Sequence, residues 1–536
     1  MTTERKIAVQ YDVRGNPFWE SLATPTDDSC AVCYMVPDRI IPIVFIPGVM
    51  GSNLKSRTDN VRWRLDSSTT ISPWLVRGAE IRKKSLTPEN MVLDDQGTIP
   101  EGTAQSREEL HRRGWGEIAH MSYGPFLVWL ENALNDFDDC KNGLRQSLLG
   151  QSLQAELGET PLTKEEIALS YRYRFPVHVC GYNWLDDNAH SATHLNVRIR
   201  NIINRYRKEG KRCEKVILVT HSMGGLVARY SSEVLGIRSL IFGIVHGVMP
   251  SLGAAAVYRR MKSGTENSGE GALGFLKGLA ASAALGSDGA EMTAVLSSAP
   301  GPLQLLPTAE YGNHWLKIKT GNDPEISLPK NGDPYTEIYT VRDRWWGLCE
   351  DRLINPLNEE KDPQKRQQQI DSDWEKFADT INREVKRIHI KLRGKYHHNT
   401  YAFYGASEQH RAYGEVSWFG STSLGATNIM NATLEPAEGT LQAVGAIGSR
   451  RTVDVPYNNR QKTHPFVYQI SAPDEPGDGT VPRRSGVALK NHVNSVLCVK
   501  VEHEPAFKAS EAAQHFTLRA IVKIAQEVQK TALAYR

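Results

Sequence analysis

The stretch VILVTHSMGG, residues 216–225, decides the fold. Four branched apolar residues run into Thr220 and His221, and a serine follows between His221 and Met223. Gly224 and Gly225 come next, and LVARYSSEVLG (226–236) goes on at helical spacing, with Leu226, Val227 and Tyr230 available to a sheet. An apolar run without polar alternation reads as a strand covered on both faces. A strand that turns at a serine and continues as a helix is a nucleophile elbow. The turn strains the serine backbone and lifts its Oγ above the sheet end, and the residues two before and two after must be small because strand and helix nearly touch there. Gly224 meets that need after the serine, whereas Thr220 stands where glycine is commonest before it. Small-x-Ser-x-Gly turns up about once by chance in a chain of this length, so the strand–turn–helix context carries the weight.

Further apolar runs read as strands: IIPIVFIPG (40–48), PVHVCGYNW (176–184), IRSLIFGIVHG (237–247), TYAFYGA (400–406), FVYQIS (466–471) and SVLCVKVE (495–502). They are rich in β-branched and aromatic residues, with Gly, Pro or Asn at their ends. Between them lie helical patterns. In HLNVRIRNIINRYRKEG (194–210), Leu195, Ile199, Ile202 and Tyr206 form one apolar face opposite arginines, and Gly210 is a stop signal. Residues 511–536 read as a closing helix and 363–393 as a charged helical stretch. Alternating strands and helices imply an α/β chain with a mostly parallel central sheet flanked by helices. The alternation is densest at 176–250 and resumes near 465. The expected organisation is an N-terminal arm (1–39), a core made of 40–54, 176–250 and 400–536, and two insertions, 55–175 and 251–399, forming a cap or lid. Within the second, GALGFLKGLAASAALG (271–286) is apolar between Gly-rich flanks, the composition of a mobile lid or of a helix packed on the core.

Composition bounds the partners. The chain has 536 residues, 40% of them hydrophobic, and 64 Lys plus Arg against 61 Asp plus Glu give a net charge of +3. There is no basic run of nucleic-acid type and no calcium-loop signature. The N-terminus has no apolar h-region and no segment reads as membrane-spanning, so synthesis in the cytoplasm without a signal peptide is expected. Seven scattered cysteines read as a reduced set of mostly core thiols rather than a disulfide framework. The one CxxC, Cys30–Cys33, lacks a second pair at ligand spacing, so no metal and no cofactor are expected.

A serine hydroxyl needs a base, and the base needs an orienting acid; in an elbow fold they follow the serine as acid, then histidine. Asp478, in PGDGTVP, has glycine on both sides, which lets the backbone turn and expose the carboxylate; Asp474 is the fallback. His503, in VEHEPAF, directly follows a strand and is favoured over His492 and His515. The oxyanion of a tetrahedral intermediate needs fixed N–H donors. One is expected from Met223, after the nucleophile, and the other from Val49 or Met50 in FIPGVMGSNL (45–54), where Gly48 and Gly51 allow close approach. Trp184, His246 and Met249, near strand ends, are expected to line or shape the substrate pocket beside Met223.

Taken together, FIPGVMGSNL, GYNWLDDN, THSMGGLVARY, HGVMPSLGAAAVYRRM, LLPTAEYG, GDGTVP and VEHEPAF resemble bacterial α/β-hydrolase lipases related to lecithin:cholesterol acyltransferase and GPI inositol-deacylase, and most closely type VI secretion lipase effectors. The resemblance covers about 40–54, 176–260, 300–312 and 465–520. It implies an α/β-hydrolase fold with Ser222 as nucleophile, Asp478 as acid, His503 as base and an oxyanion loop at Val49 or Met50. It further implies a lipid ester substrate at a membrane surface, a phospholipid before others. Delivery by a secretion-system carrier into a target cell's periplasm and an immunity protein in the producer are also implied. An acyltransferase with the same triad, or a hydrolase-like binding module without catalysis, are the competing readings.

Overall fold

The computed structural model describes residues 4–535, apart from 22–29, 75–76, 138–141, 265–285, 287, 422–429, 431–432, 435–441, 445–447 and 458–461. Six of the apolar runs build one sheet: β1 (Ile43–Ile46), β2 (Val177–Val179), β3 (Val216–His221), β4 (Ile241–Gly247), β5 (Thr400–Gly405) and β6 (Ser495–Val499). Their order is β2-β1-β3-β4-β5-β6, and every pairing is parallel. The chain leaves β1 for β2 on one side and returns to β3 on the other, so the strand order reverses between β1 and β3. Ligands of open α/β sheets bind beyond the carboxyl ends of the strands at such a switch point.

The central strands lack polar alternation because both faces are covered: every residue of β1, β3 and β4 is buried. Alternate residues enter different cores. Val44, Leu218 and Ile244 face helices α2 (Asn188–Lys208) and α3 (Gly224–Arg229). Phe45, Val219 and Val245 face α1 (His120–Leu134) and α4 (Glu511–Ala525). Each such fully buried side chain contributes about 1.5–3 kcal/mol. Helix α2 begins where Asp187 accepts from the Ala189 N–H, and its Leu195, Ile199, Ile202 and Tyr206 are all buried. It ends before Gly210, whose positive φ of 75° suits the left-handed stop.

FVYQIS does not join this sheet. It lies within Lys462–Ile470, in a second sheet ordered Ile326–Leu328, Leu316–Thr320, Val416–Gly420, Lys462–Ile470, Gly448–Tyr457 and Thr433–Leu434. Most of its pairings are antiparallel. Tyr468 and Ile470 are buried while Val467 between them is 50% exposed, the alternation of a strand covered on one face. Six apolar-rich residues are too few for composition to separate that pattern from a core strand. Residues 400–536 thus divide between two sheets, and α1, from the 55–175 segment, packs under the central one. The charged stretch 363–393 is helical, as Pro363–Asp379, Thr380–Val385 and Lys386–Leu392. The lid candidate 271–286 lies, Gly286 aside, outside the described residues.

Cys30 and Cys33 stand in an extended strand, Cys30–Cys33, paired with Glu4–Ile7. Residues three apart in a strand point to opposite faces about 10 Å apart, which suits neither chelation nor a disulfide. Among the described residues no group of three His, Cys, Asp or Glu side chains could hold a metal ion. No described helix is long and apolar enough to cross a membrane.

Buried histidines give the fold a pH signature. Burial pushes His178 well below its ordinary value, His221 and His246 to about 3, and His389 and His397 to about 4. In the unfolded chain each titrates near 6.5. Below that pH the unfolded chain binds protons that the folded chain refuses, so their contribution to stability is full above about pH 6.5 and is lost as the pH falls toward 4. Thermal unfolding at pH 7, 6 and 5 should show the midpoint falling only slightly between pH 7 and 6 and by on the order of 5–10 °C between pH 6 and 5. A flat midpoint over that range would mean these imidazoles are not held neutral.

Candidate active site

At the end of β3 the backbone turns abruptly. Ser222 has φ 51°, a left-handed conformation that costs a non-glycine residue about 1–2 kcal/mol. Neighbours hold it there: the Ser222 N–H donates to the Gly247 carbonyl at 2.9 Å, and the Gly225 N–H donates to the Ser222 carbonyl at 2.9 Å. The small residues behind the serine are required by close approach. A Cβ on Gly224 would lie 2.5 Å from the carbonyl oxygens of Ile46 and Pro47, and one on Gly225 would lie 2.7 Å from Met249 Cγ. Thr220 fits in front because its hydroxyl shares a 2.8 Å hydrogen bond with Nδ1 of His246, its register partner on β4. The room a glycine would leave is used for a polar contact between strands.

Asp478 and His503 arrive from distant parts of the chain. His503 Nε2 lies 2.8 Å from Ser222 Oγ, and His503 Nδ1 lies 2.8 Å from Asp478 Oδ2. The other carboxylate oxygen accepts the N–H groups of Thr480 at 3.0 Å and Val481 at 2.7 Å, which locks the carboxylate's orientation. Gly405, the last residue of β5, makes room for the acid: a Cβ there would lie 2.6 Å from Asp478 Cβ. Asp478 is 1% exposed and His503 14%, so the contact between them is sheltered from water. Among the alternatives, Asp474 accepts the N–H groups of Gly414 and Glu415, His492 stacks on Tyr396, and His515 faces Glu511. None of the three meets Ser222 Oγ.

The loop after β1 is pinned from several sides. The Gly51 N–H closes a turn onto the Gly48 carbonyl at 3.1 Å, with Met50 at φ 63° in its third position. Such a turn ordinarily places glycine there. Here Trp63 Nε1 donates to the Met50 carbonyl at 3.2 Å, the Tyr182 hydroxyl donates to the Pro47 carbonyl at 2.9 Å, and the Gly48 N–H donates to the Tyr123 hydroxyl at 3.2 Å. A Cβ on Gly48 would lie 3.0 Å from Ser222 Cβ, so the turn abuts the elbow. Among the described residues, the N–H groups of Val49, Met50 and Met223 have no internal acceptor. They are free to meet a developing negative charge.

Trp184 is fully buried 5.0 Å from Trp63, so it braces the residue that holds Met50. His246 is engaged by Thr220, and Met223 and Met249 are buried at the elbow. Ser222 itself is only 2% exposed. A small, open pocket beside α3, lined by Leu226, Arg229, Ser251, Gln304 and Tyr396 among others, touches none of Ser222, Asp478 and His503. Sequence reasoning missed Trp63, Tyr123 and the side chain of His221. Tyr182 and His221 lie within quoted motifs, but Tyr123 stands in a helix with no local signal.

The strand order, the serine elbow on β3 and the approach of Asp478 and His503 define an α/β hydrolase. Residues 188–246, which run from α2 through the elbow into β4, match the family model of the PGAP1-like alpha/beta domain. The fold is similar to a chain in the crystal structure of the Tle4–Tli4 complex, with 27% sequence identity and a TM-score of 0.73 over 91% of this chain and 98% of that one. No curated protein matches the chain. Both matches bear out the resemblance read from the motifs, and the chain is a hydrolase of the lipase and esterase kind.

Proposed function

We propose that the chain is a serine-dependent carboxylic-ester hydrolase acting on lipids, with phospholipids as substrate and phospholipase A chemistry. The observation that carries this is the continuous hydrogen-bonded line from Ser222 Oγ through His503 to Asp478, at 2.8 Å for each link. In this reading His503 Nε2 takes the proton from Ser222 as Oγ attacks the ester carbonyl. Asp478 keeps the second ring proton on Nδ1 and stabilises the imidazolium. The oxyanion is received by the Met223 N–H and by Val49 or Met50. His503 then hands its proton to the departing alcohol, and water repeats the sequence on the acyl-enzyme. No step needs a metal or cofactor.

The lipid assignment rests on the motif resemblance and on the matched domain and fold. The similar chain was solved in a complex of two proteins, Tle4 and Tli4, which supports a dedicated protein partner here as well, in the role of an immunity protein. Delivery by a type VI carrier to the periplasm of a target cell completes the proposal. Incubation of the protein with mixed phospholipids and neutral lipids, followed by mass spectrometry, is expected to show free fatty acid and the matching lysophospholipid. Fatty acid from neutral lipids alone would remove the phospholipase assignment while keeping the esterase. No release from any ester would sink both.

A further inference from the structure

A second line of hydrogen bonds crosses the site behind the first, and its direction follows from its two ends. The Gly48 N–H at one end can only donate, and it meets the Tyr123 hydroxyl at 3.2 Å. The carbonyl oxygen of His503 at the other end can only accept, and it meets His221 Nε2 at 2.8 Å. His221 Nε2 therefore carries the ring proton. Burial keeps the imidazole neutral, so Nδ1 is a bare lone pair. The Tyr123 hydroxyl, 2.9 Å away, donates to that lone pair while its oxygen accepts from Gly48. Burial also raises the phenol's pKa, so it keeps its proton.

Position makes this line consequential. His503 stands on the loop after β6, outside regular structure, and its main chain is tied at two points: its N–H to the Asp478 carbonyl at 2.8 Å and its C=O to His221. Tyr123 sits between the oxyanion turn and the base. A Cβ on Gly51 would lie 2.8 Å from its hydroxyl, and one on Gly48 would lie 2.8 Å from His221 Nδ1. Phe45 packs against the Tyr123 ring at 5.0 Å, and Phe507 lies 6.0 Å from the His221 ring.

We infer that Tyr123 and His221 are positioning residues that couple the oxyanion turn at Gly48 to the main chain of His503, so that the proton acceptor and the oxyanion donors are aimed at one carbonyl together. Neither touches Ser222 Oγ, so both act through other groups. The inference rests on Ser222 serving as nucleophile. Misplacing catalytic groups by about 1 Å costs on the order of 100-fold in rate, and loss of a supporting hydrogen bond behind a reactive group about 10–100-fold.

The test compares wild type, Tyr123→Phe, His221→Leu and His221→Gln, using a fluorophosphonate probe to count reactive sites and a soluble ester to measure kcat and KM per counted site. Tyr123→Phe keeps the ring and deletes only the linking hydroxyl. It is expected to lower kcat by about 10–100-fold with KM within about threefold, and to slow probe labelling by a similar factor. His221→Leu should lose as much or more. Glutamine can offer an N–H near the position of Nε2 to the His503 carbonyl and its amide oxygen as acceptor for the Tyr123 hydroxyl, so His221→Gln should recover to within about fivefold of wild type. Normalising to counted sites removes unfolded protein, so a residue that merely supports the fold would leave kcat unchanged. Labelled wild type with an unchanged kcat in Tyr123→Phe overturns the inference alone. Wild type that takes no label overturns the nucleophile reading and this inference with it.

Discussion

Replacement of Ser222 by alanine is expected to cut kcat by about four to six orders of magnitude while leaving the unfolding midpoint within about 2 °C. Oγ is the only atom lost, and it is the atom within 2.8 Å of the base. The proposed oxyanion donors and the packing around the turn stay in place, so a residual rate above that of water alone should survive. Alanine carries the same Cβ as serine, so it meets the same positive φ, held by the same backbone bonds to Gly247 and Gly225. Fatty-acid release measured by mass spectrometry settles the matter: a variant that keeps more than about a tenth of wild-type turnover cannot have lost its nucleophile.

Asp478→Asn carries the second large effect, about three to four orders of magnitude in kcat. The geometry here gives a specific cause. Asp478 Oδ1 accepts two backbone N–H groups, from Thr480 and Val481. An asparagine must keep its carbonyl oxygen toward those donors, which turns its amide NH2 toward His503 Nδ1. Two donors cannot face each other, so the imidazole proton moves to Nε2 and points at Ser222 Oγ. The base is then blocked by its own proton, with every heavy atom in place. A loss of less than tenfold, measured as kcat on a soluble ester, would show that the carboxylate is not what sets the tautomer.

Much of this was open to reading along the chain. The run from Val216 to His221 and the helical spacing after Gly225 belong to local chemistry: buried parallel strands need unbroken apolarity, and a tight strand–helix junction needs glycine. The second sheet was not readable in the same way. Tyr468 and Ile470 look like core-strand residues until their neighbours show that one face is open. Trp184 read as a pocket wall because it follows a strand end, yet in the folded chain it stands behind Trp63, one layer away from the turn at Met50.

Sequence alone determined the order and kind of the central elements, the elbow at Ser222, and the candidates Asp478 and His503. Those features depend on periodicity and on residue types next to one another in the chain. Tertiary structure decided which histidine reaches the serine, why threonine serves at 220, and which side chains pin the turn at Val49 and Met50. Each of these is a contact between residues far apart in sequence: Thr220 with His246, Gly48 with Tyr123, His221 with the main chain of His503. Hydrogen bonds require alignment within a few tenths of an ångström. No local pattern encodes that alignment, because it exists only once β1, β3 and the loop after β6 lie side by side.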